Sequence, residues 1–363
     1  MLLLWLPSVL VAAAVLLPVV YLLLRASQAE SGLALILRTS TLRTLGRTVW
    51  LALAVTVSSI FLALPLAWLT TRTDLPLRRV WVVLTALPIV LPSYVGAYLL
   101  VSTVGPRGMV QNWLEPFGVV RLPEVYGFPG ALFILTLVSY PYILLSVRAA
   151  LQNIDPSQEE AARGLGLSRW QAFWRVTLPQ LRPAIAGSAL LVALYVLRDF
   201  GAVSVMRYDT FTRVIYIQYR STFDRTSAAV LALVLVALTL GILLLEQRTR
   251  GKGRYYSSGT LKRPPAIVRL EGWKWPALVL VALVVTAGVL IPAVNLLYWL
   301  VRGILSGEVI TDLWLAARNS VAASGFAAGV KSNRALRNIA FCARSKLLAG
   351  PMSACCCSMR PIW

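Results

Sequence analysis

Runs of about twenty apolar residues recur along this chain, each long enough to cross the hydrocarbon core of a bilayer as a helix. They lie near Leu2–Leu24, Val49–Thr70, Val80–Thr103, Gly130–Val147, Ala184–Met206, Ala228–Leu245 and Pro276–Val301, and an eighth begins near Asn319. In hydrocarbon every backbone N–H and C=O must be paired within the protein, so runs of this length are expected as helices. The fold class is therefore all-α, a polytopic transmembrane helical bundle. Composition agrees: 58% of residues are hydrophobic and 13% charged, whereas soluble domains carry about 25% charged residues. The first run has no basic n-region and no small-residue cleavage site, so it is expected to stay as a span.

The formal charge is +21, from 35 Lys and Arg against 14 Asp and Glu. On a soluble chain that excess would point to nucleic acid. Here it falls in loops between spans, where cations face anionic lipid and fix topology. Membrane lipid is the expected partner of this charge, not nucleic acid. With the N-terminus in the cytoplasm, three connections lie inside: Arg72–Arg79, the loop after Arg148, and the basic linker Gln247–Lys274. The chain has no histidine, and its four cysteines (Cys342, Cys355, Cys356, Cys357) all lie near its end. Zinc and redox-metal sites are not expected, nor is Ser/His/Asp or Cys/His catalysis. No catalytic, cofactor-binding or metal-binding residue is therefore assigned.

Between the fourth and fifth runs lies a polar segment with its own helix signals. Asp155 is a good N-cap, Pro156 suits the first helical position, and Gln158 would complete a capping box. Glu159 and Glu160 fall in the first turn, where the helix dipole favours acid. Gly164 and Gly166 supply a stop. Ser168 and Gln171 offer a second capping box, and the second helix is expected to end before Leu178-Pro179. One reading of this hairpin is an amphipathic element lying on lipid, with Trp170, Phe173 and Trp174 as its apolar side. The other is a docking element for a soluble partner.

The segment resembles the EAA loop of permeases in binding-protein-dependent ABC importers. Glu160-Ala161-Ala162, Gly166, Val176 and Leu178-Pro179 fall on every position of that motif. The resemblance implies a MetI-like permease domain in a bacterial inner membrane. Its coupling loop, residues 149–183, would fit a dimer of cytosolic ATP-binding subunits, and a periplasmic binding protein would deliver the solute. Glu160 would then make a polar contact with the ATPase, Gly166 would allow the bend, and Leu178-Pro179 would set the exit into the fifth span. No Gly-x-x-x-x-Gly-Lys-Ser/Thr motif occurs in the chain, so ATP hydrolysis is expected on a separate subunit.

Several stretches look most like ferric-iron permeases, among them Leu91–Tyr98, Gly105–Gly108, Ser139–Tyr142 and Asp199–Val203. Permeases for thiamine, polyamine, sulfate or molybdate are the alternatives, as is a secondary transporter working without ATP. Arg198-Asp199 is a charged pair expected inside span five. Such residues are costly in a membrane and commonly mark a solute path. Asp199 could line the route of a cation or chelated metal with Arg198 as its gate; the plainer account is an ion pair or two snorkelling groups. Pro88, Pro92 and Pro141 predict bends, and Tyr140 and Tyr142 are read as packing residues.

The chain also repeats weakly. Leu17–Leu22 resembles Ile291–Leu296, and Arg47-Thr48-Val49 resembles Arg318-Asn319-Ser320, an offset of about 270 residues. Residues 1–247 are read as one complete permease half of about six spans, 248–275 as a cytoplasmic linker, and 276–330 as the start of a second half. Residues 331–363 change character and are read as an aberrant, out-of-frame tail. On this reading a second permease half is a possible partner, and a truncated product without transport activity is a further alternative.

Overall fold

The computed structural model describes residues 2–28, 32–106, 108–118, 124–220, 223–249, 267–306, 314–326 and 329. Residues 331–363, including the four cysteines, lie outside the described residues. The helices in chain order are α1 (Leu2–Ala26), α2 (Gly32–Leu37), α3 (Thr39–Arg72), α4 (Arg78–Leu84), α5 (Ser93–Val104), α6 (Met109–Leu114), α7 (Phe128–Asn153), α8 (Pro156–Gly164), α9 (Arg169–Ala172), α10 (Leu178–Arg198), α11 (Gly201–Val205), α12 (Phe211–Arg220), α13 (Arg225–Thr249), α14 (Lys274–Val285) and α15 (Ile291–Leu305). Among the described residues the one extended pairing is an isolated parallel bridge between Thr73 and Val268. Among the described residues six helices are long and apolar enough to cross a membrane, and a seventh candidate is a bent pair. The all-α bundle expected from the apolar runs is thus the fold observed. The chain forms two compact units, Met1–Leu296 and Leu297–Trp363. The second unit contains the helical residues 314–326.

The core of the first unit is α3 against α7, with α10 packed on both. Small side chains permit close approach: Ser59, Ala63 and Ala67 of α3 are fully buried, and the Ser59 and Ser139 hydroxyls lie 3.2 Å apart. Around them pack Leu66, Leu135, Ile143, Leu144 and Val192. α3 and α7 run in the same direction. Their C-terminal ends meet where Arg72 reaches the Leu151 carbonyl. Near their N-terminal ends, the segment after α10 bonds to both: Phe211 N–H donates to Thr48 Oγ1, and Gly127 N–H donates to the Met206 carbonyl. The bundle therefore has a loop end, carrying Arg72 and Leu151, and a far end, carrying Thr48, Gly127 and residues 199–212.

Span three departs from the single kinked helix that its apolar run predicts. Arg78–Val90 and Ser93–Gln111 meet at 99°, with a tight 3-10 turn over Leu87–Val90 and Pro92 as the N-cap of α5. Pro88 and Pro92 have no N–H to donate, and each disfavours helix in the residue before it. Two such residues four apart break the helix rather than bend it. Ile89 N–H bonds to Ala86, leaving the Thr85 carbonyl without its helical donor. The fully buried Tyr140 hydroxyl fills that vacancy at 2.7 Å. Tyr140 is thus a packing residue with a definite polar task, satisfying a carbonyl that a broken membrane helix exposes.

Residues 268–296 pack within the first unit. Val268 N–H donates to the Arg72 carbonyl at 2.7 Å, and Asp74 accepts from Leu270 N–H and pairs with Lys274 at 2.8 Å. The end of the basic linker is thereby stitched to the loop after α3. The three connections expected inside consequently meet at one end of the bundle. Further along, the buried Asn295 amide donates to Ser102 and Thr103 hydroxyls of α5 at 3.0 and 2.6 Å.

Candidate functional site

The polar loop at the loop end is built by two kinds of cap. Asp155 Oδ1 accepts from Ser157 N–H at 3.0 Å and starts α8, with Pro156 following it. Gln158 does not close a capping box. Its amide oxygen instead accepts from Gln180 Nε2 at 2.8 Å, tying α8 to the base of α10. The helix stops where Leu167 N–H reaches back to Ala162 and Gly166 N–H to Arg163. Gly166 takes a left-handed φ of 90°, which glycine adopts without a side-chain clash. The second capping box forms as expected: Ser168 N–H donates to Gln171 Oε1, and Gln171 N–H to Ser168 Oγ.

The expected end of the second helix before Leu178-Pro179 is not observed. Residues 170–198 form one continuous helix with a π turn over Phe173–Thr177, where Leu178 N–H reaches back to the Phe173 carbonyl. Pro179 would clash with the carbonyl four residues earlier in an α-helix. The wider turn accommodates the proline without ending the helix. Val176, Leu178 and Pro179 are half-buried along this turn.

The two acids of the first turn face different ways, because neighbouring helical positions do not share a face. Glu159 turns inward to Arg72, whose guanidinium is 3.3 Å away and only 4% exposed. The same guanidinium also reaches the Leu151 carbonyl. Glu160 and Ala161 face outward, and Ala162 is buried. In the sequence Arg72 is one of several loop cations, and nothing local marks Glu159, 87 positions away, as its partner. Beside Glu160 the loop exposes Leu165 (87%), Trp170 (66%) and Trp174 (50%). Phe173 stacks on Trp170 and meets Trp68 of α3 edge-on. The product is a rigidly held, partly apolar knob with an acid beside it.

At the far end, α10 stops at Arg198, so Asp199 lies beyond the helix that was expected to contain it. Asp199 turns inward, is 7% exposed and accepts from Ala202 N–H at 2.9 Å. A short polar side chain that bonds nearby backbone in this way competes with helix continuation. Arg198 is exposed, with its guanidinium carbon 5.5 Å from the Tyr195 ring centroid. Both residues line a cavity of about 610 Å³ with Ser93, Tyr94, Gly201 and Ser204. α11 and α5 touch closely here: a Cβ on Gly201 would lie 2.7 Å from that of Tyr94.

The chain is thus a membrane-spanning α-helical bundle in which one short capped helix, α8, turns into the base of a long one at the loop end. Residues 59–246 match the family described as binding-protein-dependent transport system inner membrane component. The chain is 31% identical to the Fe(3+)-transport system permease protein FbpB 2 of Haemophilus influenzae over 318 residues, 86% of this chain and 59% of the relative. It is also 31% identical to the sulfate transport system permease protein CysT of Escherichia coli, over 52% of this chain and 69% of that protein. The molybdenum transport system permease protein ModB of Escherichia coli matches at 31% over 55% of this chain and 91% of its own length. A chain of a bacterial alginate ABC transporter crystal structure shares the fold, with a TM-score of 0.53 at 18% identity, covering 67% of this chain and 93% of that one. The chain belongs to the inner-membrane component family of binding-protein-dependent transport systems and is a multi-pass inner-membrane protein.

Proposed function

We propose that this chain is the permease subunit of an ATP-driven importer, and that residues 149–183 are its contact with a separate ATP-hydrolysing subunit. The observation that carries this reading is the anchored knob. Glu159, Gln158 and Phe173 tie the loop to α3 and α10, while Glu160, Leu165 and Trp170 stay outward. A push on the outward face would pass into the spans through the inward ties. The chain itself does no covalent chemistry in this account. A binding protein would deliver solute at the far end, and a second permease half would complete the path, since alternating access requires two bundles moving about a shared site.

Ferric iron is the proposed cargo. The support is extent: the ferric-iron relative matches 86% of this chain, the sulfate and molybdenum relatives 52% and 55%. Sulfate or molybdate is the second reading, favoured by relatives of equal identity. The test is expression of the full chain with its neighbouring transport genes in a permease-null cell, measuring radioiron and radiosulfate uptake. Iron uptake that requires ATP supports the proposal. ATP-independent uptake would identify a secondary transporter instead, and sulfate uptake without iron uptake would replace the cargo.

A further inference from the structure

The cavity at the end of α10 has an electrostatic character that its composition alone hides. Among its lining residues two are charged, Arg198 and Asp199, and they would cancel if both faced the space. They do not face it equally. The Asp199 carboxylate is turned onto the protein's own backbone, where it is 7% exposed and accepts from the Ala202 N–H at 2.9 Å. Arg198 makes no ion pair among the described residues and is exposed. What remains available to a solute is one guanidinium, set among the Tyr94 and Tyr195 rings. A bare cation finds no free carboxylate there, whereas an anion finds charge and donors.

We propose that this cavity admits anions and that Arg198 is the residue selecting them, an inference that rests on reading the cavity as part of the solute path. Iron would then pass it as a negatively charged complex rather than as a free ion, and an inorganic oxyanion would be accepted by the same group. Asp199 is then a structural cap rather than a lining residue on the route of a cation or chelated metal.

The test uses the full chain in membranes, with Cys342, Cys355, Cys356 and Cys357 changed to Ser and Tyr94→Cys as the only thiol. Tyr94 lines the cavity and is 58% exposed. Reaction rates with an anionic and a cationic methanethiosulfonate of similar size are compared, each normalised to a Phe117→Cys reference, an 83% exposed site. The expected anion preference is about tenfold, as one nearby guanidinium in a half-wet site would give. Arg198→Gln should bring the ratio to about one, and Asp199→Asn should leave it in place. A ratio at or below one in the parent, or an Asp199→Asn effect as large as that of Arg198→Gln, overturns the proposal. Sulfate and ferric citrate, added separately, tell an oxyanion from an iron chelate by which slows labelling. Slowing by neither, or by lanthanum(III) alone, also contradicts it. No step requires ATP or a partner subunit, so failure of the coupling account would leave this result standing, and the reverse holds too.

Discussion

The tie between Arg72 and Glu159 should be worth more than a surface ion pair, and a double-mutant cycle can measure it. At 3.3 Å the bare Coulomb attraction is about 5 kcal/mol for an effective dielectric near 20. Most of that is offset by desolvating a guanidinium that is only 4% exposed. Glu159 retains 27% exposure, so the net coupling energy should be about 1–2 kcal/mol, above the range of exposed pairs. The single changes should be unequal. Glu159→Gln leaves an acceptor and the Leu151 carbonyl in place and should cost about 1 kcal/mol. Arg72→Met removes both bonds and should cost about 2 kcal/mol. Glu159→Arg, which sets two cations together, should cost about 3 kcal/mol or more. Unfolding of the purified full chain in mixed micelles, titrated with denaturing detergent, gives the four corners. A coupling energy under about 0.3 kcal/mol, or an Arg72→Met variant as stable as the parent, would refute the claim that this pair fixes α8 to the bundle.

Gly166→Ala should destabilise the loop by about 1 kcal/mol, since φ is 90° and alanine is strained there; hydrogen exchange at the Leu167 amide should rise while the spans stay protected. Tyr140→Phe should cost about 1 kcal/mol by leaving the Thr85 carbonyl unpaired, read as a lower detergent midpoint; an unchanged midpoint would mean that the break in span three is satisfied otherwise. The clamp at Asp74 should depend on pH. Its carboxyl is held below the usual value, first by the hydrogen bond from Lys274 and then by that from Leu270 N–H. A depressed folded value contributes stability above the unfolded value and loses it as pH falls through the folded one. Pepsin should therefore spare residues 268–274 near about pH 5 and cut them near about pH 2, and Asp74→Asn should be cut at both.

The apolar runs were enough to read the bundle, because spacing and length alone decide whether a segment can cross a bilayer. The caps at Asp155, Gly166 and Ser168 were legible for a similar reason: each depends on a few neighbouring residues. What the sequence left hidden depends on distant partners. Arg72 and Glu159 are 87 positions apart, and Tyr140 meets Thr85 across 55. Neither pairing leaves a periodic trace. The prolines of span three announced a disturbance but not its 99°, since the angle depends on whether the neighbours can supply the missing bonds. At Arg198-Asp199 the pattern showed two charges and could not show that one is spent on backbone amides. The internal repeat shows the same limit. Asn295 stands where the first copy has Tyr21, yet Asn295 is buried on α5 and Tyr21 is exposed.

Photocrosslinking from the loop tests the central claim most directly, because it separates a protein partner from lipid. A photoreactive residue at Leu165, with Leu53 of α3 as an exposed control (87% and 55%), is placed in the full chain in cells carrying the neighbouring transport genes. The coupling account predicts an adduct with an ATP-binding subunit from position 165, none from position 53, and loss of the adduct on Glu160→Lys. Lipid adducts alone from both positions would contradict it and would make the helix pair an element that merely rests on the membrane.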